Sequence, residues 1–172
     1  METLVNRVAE SGLITISLEK YFPKNDFEIF DIKSYLFQGL ILKEKDFREA
    51  MQNIDWNTYQ DKIVLVINTA DAIIPLWAYM LITKYLGGIA HDVFCGTKMD
   101  YLSQYYKHII ESIDPEDYID KRLVIKGCAD VELPPQAYVS IVQRLMLHAQ
   151  SIMFGEPCST VPIFKRPRNI VK

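Results

Sequence analysis

The sequence lacks the short motifs that identify the common nucleotide-binding and hydrolytic sites. It contains no G-x-G-x-x-G, no G-x-x-x-x-G-K-[ST], no G-x-S-x-G and no H-E-x-x-H. Its three histidines, His91, His108 and His148, show no metal-ligand spacing, so surface or packing roles are expected for them. A nucleotide site of the usual kinds therefore has no support in the sequence.

Cysteine is also scarce. Cys95, Cys128 and Cys158 are odd in number and widely spaced, and no C-x-x-C pair is present. A disulfide framework is therefore not expected, and reduced thiols in the cytoplasm are the default. The N-terminus has no basic stretch followed by an apolar run, which argues against a signal peptide.

Long apolar runs and an excess of basic charge are missing as well. The most apolar segment, 70–86, carries Asp71 and Lys84 and is too short and too polar to span a bilayer, so it predicts a buried helix. The net charge of −3 argues against a nucleic-acid partner. A chain of 172 residues that is 49% apolar and 24% charged is typical of one globular domain with a sizeable core.

The sequence does contain an internal repeat. A shift of 59 residues aligns 55–86 with 114–145 without a gap, and eleven of the 32 aligned positions are identical. Composition alone would give roughly two identities. Both copies carry the pattern A-D-x-x-x-P, at 70–75 and at 129–134. We interpret the match as an internal duplication of one folding unit.

Each copy predicts the same order of elements: a polar helix, a Val- and Ile-rich strand, a helix that begins near a proline, and a second strand. This alternation predicts an α/β fold with a mainly parallel sheet, right-handed crossovers and helices on both faces. The predicted helices are 44–54, 75–86, 101–113 and 135–150, and the predicted strands are 63–67, 92–95, 122–125 and 151–154.

The N-terminal region lies outside the duplication. Residues 13–18 and 27–32 alternate like strands, and we expect them to form an antiparallel pair or to extend the edge of the sheet. The predicted layout within one domain of 1–172 is an N-terminal strand pair with a short helix (1–43), a first repeat (44–100), a second repeat (101–160) and a tail (161–172).

A binding site is expected at the carboxyl ends of the strands, where ligands of open α/β sheets bind. Cys128 and Cys158 fall at two of these ends, and their thiols meet if the strands are neighbours. They are candidate ligands for iron or zinc, or a candidate redox pair. Cys95 lies in an apolar strand and is expected in the core. The four predicted ends are 68–71, 96–98, 127–130 and 155–160.

The segment 155–162, G-E-P-C-S-T-V-P, predicts a rigid polar loop at this edge. Glu156 offers a carboxylate, and Ser159 and Thr160 offer hydroxyls beside the thiol of Cys158. The alternative is a terminal connection whose hydroxyls satisfy nearby backbone groups.

Three further candidates follow the first strand of each copy. Asp71 and Asp130 occupy the same place in the two repeats. Either they cap or complement the N-terminus of the next helix, or as a pair they bind a metal or another cation. Trp77 is expected to pack, or to line a pocket.

Five stretches of the chain resemble the bacterial domain-of-unknown-function family 2480. The resemblance implies a cytoplasmic, single-domain protein without an assigned activity and an association with iron–sulfur assembly proteins. It also implies a cysteine where this chain has Asn68, so a three-thiol site is not available here. The stretches are FDIK at 30–33, FQGLILKEKDFR at 37–48, ADAIIPLWAYM at 70–80, IKGC at 125–128 and SIMFGEPCSTVP at 151–162.

Three functions remain open on this basis. The first is an accessory protein with a thiol-centred metal, sulfur or redox site at Cys128 and Cys158. The second is a non-catalytic module that binds a small anion or metabolite through the backbone of the closing loop and the helix starts. The third is an interaction protein that forms a homodimer through its N-terminal strands or its aromatic helix faces.

Overall fold

The strands form two separate sheets, one in each of two units into which the chain divides. A computed structural model of the chain describes residues 12–127, 130–156 and 159–167. One unit comprises Met1–Phe22 and Leu102–Lys172, and the other comprises Pro23–Tyr101. We name them the four-stranded unit and the three-stranded unit. The prediction that they amount to a single domain stays a prediction.

Helices and strands alternate along the described residues, which confirms the predicted α/β class. The strands are β1 (Leu13–Ile16), β2 (Phe27–Asp31), β3 (Ile63–Ile67), β4 (Asp92–Cys95), β5 (Arg122–Ile125), β6 (Ser151–Glu156) and β7 (Ser159–Lys165). The helices are α1 (Glu44–Asn53), α2 (Leu76–Leu86), α3 (Lys98–Glu111) and α4 (Pro135–Leu145).

The first three strands of the two sheets follow one pattern: an N-terminal strand pairs with a later strand, and that strand pairs with the next one along the chain. In the three-stranded unit the order is β2-β3-β4, and every pair is parallel. In the four-stranded unit the order is β1-β5-β6-β7, parallel except for the final antiparallel pair of β6 and β7. The expectation of one sheet shared by both copies is therefore wrong, because each copy pairs with a different N-terminal strand.

The two N-terminal strands do not pair with each other. β1 lies parallel to β5, with Leu13 opposite Arg122, and β2 lies parallel to β3, with Phe27 opposite Ile63. The expected antiparallel pair is thus wrong, whereas the alternative, extension of a sheet edge, is confirmed for both strands. Parallel pairing arises because each strand joins a buried, Val- and Ile-rich strand far along the chain.

Several local features recur at the spacing of the repeat. Short 3-10 helices at Trp56–Tyr59 and Pro115–Tyr118 precede β3 and β5. Asp61 and Asp120 then take left-handed backbone angles, with φ of 59° and 55°. The observed elements therefore keep a common order in the two copies; the duplication itself stays a prediction.

Aromatic rings fill much of the core of the three-stranded unit. Trp56 stacks on Phe30 at 5.6 Å between ring centroids and on Tyr85 at 5.2 Å. Its indole N–H donates a hydrogen bond to the Met51 carbonyl oxygen at 2.9 Å, so the buried polar atom is satisfied. Phe47 and Met51 of α1 are fully buried in the same core.

The core of the four-stranded unit is mainly aliphatic. Three consecutive residues of β5, Leu123, Val124 and Ile125, are buried. Apolar side chains from the N-terminal segment and from the helices of this unit are buried as well. One large aromatic side chain, Tyr106, is completely buried here. Further buried residues of this unit are Ile16, Leu18, Leu102, Ile110, Ala137, Ile141, Leu145, Ala149 and Ile152.

Candidate functional site

At the strand end of the three-stranded unit, an aspartate organises the loop that follows β3. The backbone N–H and the hydroxyl of Thr69 both donate to the Asp31 carboxylate, and the Lys33 N–H donates to it at 3.0 Å. Burial alone would raise the pKa of Asp31, but these hydrogen bonds outweigh it and hold the pKa below its usual value. Asp31 is the last residue of β2, and its role is not visible in the local sequence because its partner Thr69 lies 38 residues away.

Asp71 and Trp77 lie in this same unit. Asp71 is exposed, and the residue that caps α2 is Pro75, which makes no side-chain capping bond. Trp77 is half-buried and meets Phe47 edge to face at 5.8 Å. The structure therefore gives Trp77 a packing contact and gives Asp71 no capping role.

Asp130 lies in the four-stranded unit. Its backbone N–H donates to the Glu19 carboxylate at 3.1 Å, and its side chain is exposed. The helix that follows is capped by Pro134 without a side-chain bond, so Asp130 does not cap it; the alternative that its charge complements the helix N-terminus stays a prediction. Asp71 follows β3 and Asp130 follows β5, and these strands lie in different sheets, so the two aspartates do not share the carboxyl edge of one sheet.

The described residues of the predicted polar loop, 155–156 and 159–162, instead lie in two antiparallel strands. Glu156 ends β6 and lies opposite Ser159, the first residue of β7, while Gly155 lies opposite Thr160. The Thr160 hydroxyl lies 3.7 Å from the Met153 sulfur. The loop expectation was wrong because two prolines and a glycine in eight residues resemble a loop more than a paired strand.

Residue 155 of the hairpin has to be a glycine, for two reasons. Its φ is 127°, and a Cβ at this position would lie 2.5 Å from the Ser159 carbonyl oxygen. Any other residue would clash with backbone that is fixed by the β6–β7 ladder.

The cysteines give little direct support to a thiol site. Cys128 and Cys158, the proposed metal ligands, lie outside the described residues. Cys95 is exposed at the end of β4, so its expected place in the core is wrong. Among the described residues, no group of three or more His, Cys, Asp or Glu side chains is placed to hold a metal ion.

An apolar pocket of about 460 Å³ lies at the carboxyl end of β5 in the four-stranded unit. β5, β6, β7, α4 and the segment before α4 all contribute to its wall, and none of the lining residues is charged. The lining residues are Ile125, Gly127, Leu133, Pro135, Tyr138, Val142, Phe154 and Ile163.

Close packing of a ring against a glycine shapes this pocket. A Cβ on Gly127 would lie 2.9 Å from Cζ of Phe154, so the ring needs the bare backbone there. Tyr138 meets the Phe154 ring edge to face, with 5.7 Å between the ring centroids. Sequence reasoning missed the pocket because its residues are apolar and each reads as ordinary core.

Comparison with known proteins identifies a family for this chain. A family model described as protein of unknown function (DUF2480) matches residues 2–166. The chain belongs to the DUF2480 family. The match covers nearly all of both units and confirms the resemblance that the sequence motifs indicated. No curated protein and no solved structure matches this DUF2480 chain.

No described helix of this DUF2480 protein is long and apolar enough to cross a membrane.

Proposed function

We propose that this DUF2480 protein is a non-catalytic binding module whose ligand is a small, largely apolar metabolite held in the apolar pocket. The observation that carries the proposal is the pocket itself, about 460 Å³ in volume and lined by uncharged residues. Ligand pockets typically measure about 300–1,000 Å³. The carboxyl end of a parallel strand is also where α/β folds usually bind ligands.

The lining suits binding better than acid–base chemistry. Tyr138 is the one residue among the eight with a titratable side chain. General acid–base catalysis most often uses His, Asp, Glu or Lys, and none of these is among the eight lining residues. The walls instead offer two aromatic rings and aliphatic side chains, whose contact with a ligand is favoured by the hydrophobic effect.

A pocket-filling substitution tests this proposal. Val142 of α4 lines the pocket and is half-buried, so Val142→Trp should occupy the cavity. The neutral compound 2-naphthylmethanol serves as the probe, with binding measured by isothermal titration calorimetry. We expect binding to the natural chain and at least about tenfold weaker binding to the variant, which corresponds to the loss of about 1.4 kcal/mol.

The matched control is Thr83→Trp. Thr83 is the counterpart of Val142 at the repeat spacing of 59 residues, and it is exposed on α2 of the other unit. This control should bind the probe like the natural chain. Equal binding by both tryptophan variants, with both folded by circular dichroism, would reject the pocket as the site.

A thiol-centred site is the second candidate. What favours it is chain position: Cys128 directly follows Gly127 of the pocket, and Cys158 follows β6 by two residues. In this proposal the two thiols bind iron or zinc, or form a redox pair, in a cytoplasmic accessory protein. Thiol titration of a Cys95→Ser variant, with and without added iron or zinc, tests it. Two unreactive thiols and no metal uptake would end it.

A homodimer and a contact with iron–sulfur assembly proteins are proposals about partners. A homodimer predicts a mass near 40 kDa, twice the 19.9 kDa of the chain, by size-exclusion chromatography with light scattering. A mass near that of one chain at micromolar concentrations would reject it.

A further inference from the structure

We propose that the ligand of the pocket is an apolar molecule that carries a protonated amine, and that Glu156 receives this ammonium group. The inference rests on the proposed function and extends it from a place to a chemical class. It predicts that the pocket binds an apolar amine more tightly than a neutral alcohol or a carboxylate with the same apolar body.

The first observation is an unused acceptor. The Oε1 atom of Glu156 is buried, and no described residue gives it a hydrogen bond. A buried carboxylate oxygen without a donor is costly, because water no longer solvates it. Native proteins satisfy nearly all such atoms, so an exception on a strand that lines a cavity points to a donor that arrives with a ligand.

The second observation is the position of Glu156 on β6, two residues after a residue that lines the pocket. Phe154 and Glu156 are two residues apart on β6, and the ladder runs without a register shift from Phe154 to Glu156. Their side chains therefore share one face, about 6–7 Å apart along the strand. Met153 and Thr160, which contact each other, occupy the opposite face. Phe154 lines the pocket, and Glu156, which is not itself one of the eight lining residues, follows it by two positions toward the strand end.

The third observation is charge. At the last residue of β6 and in the segment 126–132 that follows β5, the described charged residues are Lys126, Asp130, Glu132 and Glu156. With Glu19, whose carboxylate accepts from the Asp130 N–H, these chain segments bring together four carboxylates and one ammonium, a balance that favours a cation over an anion. A carboxylate–ammonium hydrogen bond is also stronger than a bond from a neutral hydroxyl. The geometry and the charge thus select the same ligand class.

Three probes with one apolar body separate the alternatives: 2-naphthylmethylamine, 2-naphthylmethanol and 2-naphthoate. Calorimetry at pH 7 should rank the amine about tenfold to a hundredfold tighter than the alcohol, the range that a charge-assisted hydrogen bond provides. The naphthoate should bind more weakly than the alcohol. Glu156→Gln, which keeps the side-chain shape, should abolish the preference for the amine.

Glu132→Gln is the control, since Glu132 is an exposed carboxylate in the same stretch. It should keep most of the amine preference. Equal binding of amine and alcohol to the natural chain, or an unchanged preference in Glu156→Gln, overturns the inference and leaves the proposed pocket intact. Binding by none of the three probes overturns both. The ranking on the natural chain decides the matter even if Glu156→Gln fails to fold.

Discussion

The hydrogen bond between Tyr106 and Leu18 offers a direct test of how the four-stranded unit is held together. Tyr106 of α3 is fully buried, and its hydroxyl donates to the Leu18 carbonyl oxygen at 3.0 Å across 88 residues of sequence. Leu18 begins the 3-10 helix that follows β1. The bond therefore ties the N-terminal strand region to a helix from the C-terminal half of the chain.

Replacing Tyr106 by Phe removes this bond and leaves the ring in place. No large cavity forms, so the cost is the lost bond and the poorer solvation of a buried carbonyl. We expect the free energy of unfolding to fall by about 1–3 kcal/mol. For a chain of this length, that lowers the melting temperature by roughly 2–4 °C per kcal/mol.

Urea unfolding followed by circular dichroism measures the difference, with Tyr21→Phe as the control. Tyr21 is 40% exposed, so its variant should stay within about 0.5 kcal/mol of the natural chain. If Tyr106→Phe changes the unfolding free energy no more than the control does, the reasoning about this buried bond is refuted.

The burial of Tyr106 also predicts how the stability difference between the natural chain and Tyr106→Phe changes with pH. Burial raises the pKa of Tyr106 above its usual value of 10.0. The neutral form of Tyr106 is thus favoured in the folded state. Its contribution to the free energy of unfolding is complete below pH 10 and is lost progressively as the pH rises above 10. Each pH unit above 10 should cost the natural chain up to about 1.4 kcal/mol that Tyr106→Phe does not lose. The two stabilities should therefore converge at alkaline pH; parallel curves would contradict the assignment.

Two further substitutions have defined outcomes. Gly155→Ala should lower the free energy of unfolding in urea by at least about 2 kcal/mol, because its Cβ would meet the Ser159 carbonyl oxygen. The control Gly88→Ala, at a position with φ of 79° and open space around it, should lower it by only about 1 kcal/mol. Equal losses would show that the hairpin tolerates a side chain at residue 155. Glu28→Gln should cost about 0.2–1 kcal/mol at pH 7, since the Glu28 carboxylate lies 2.8 Å from the Lys62 ammonium on a partly exposed surface. The hydrogen bond from Lys62 lowers the pKa of Glu28 from 4.5, so this contribution is present above pH 4.5 and is lost as the pH falls further; a difference that persists at pH 3 would argue against it.

Local sequence predicted the repeated core elements well. β3, β4 and β5 have the predicted bounds, because short apolar runs between polar turns define strands clearly. Helix ends were less predictable. α3 begins at Lys98, three residues early, since Thr97 and Asp100 exchange capping hydrogen bonds ahead of it. The Thr97–Asp100 pair follows the spacing of a capping box and was the signal that could have located this start.

The arrangement of the strands could not be read from local sequence. The pairing of β1 with β5 joins residues 109 positions apart, and nothing in either segment names its partner. The candidate site depended on the same long-range information. Phe154, Tyr138 and Gly127 form a pocket only because three separate elements meet, and each residue alone resembles an ordinary core or turn position.

The interrupted chain path of the four-stranded unit has a consequence for biosynthesis. Its sheet needs β1 from the start of the chain and β5 from well past the middle, while all three strands of the other unit lie between Phe27 and Cys95. On a ribosome, the inner segment can complete its hydrogen-bonded ladder while β1 still waits for its neighbour. Translation order therefore favours a folding order in which the inner unit forms first and the outer unit last.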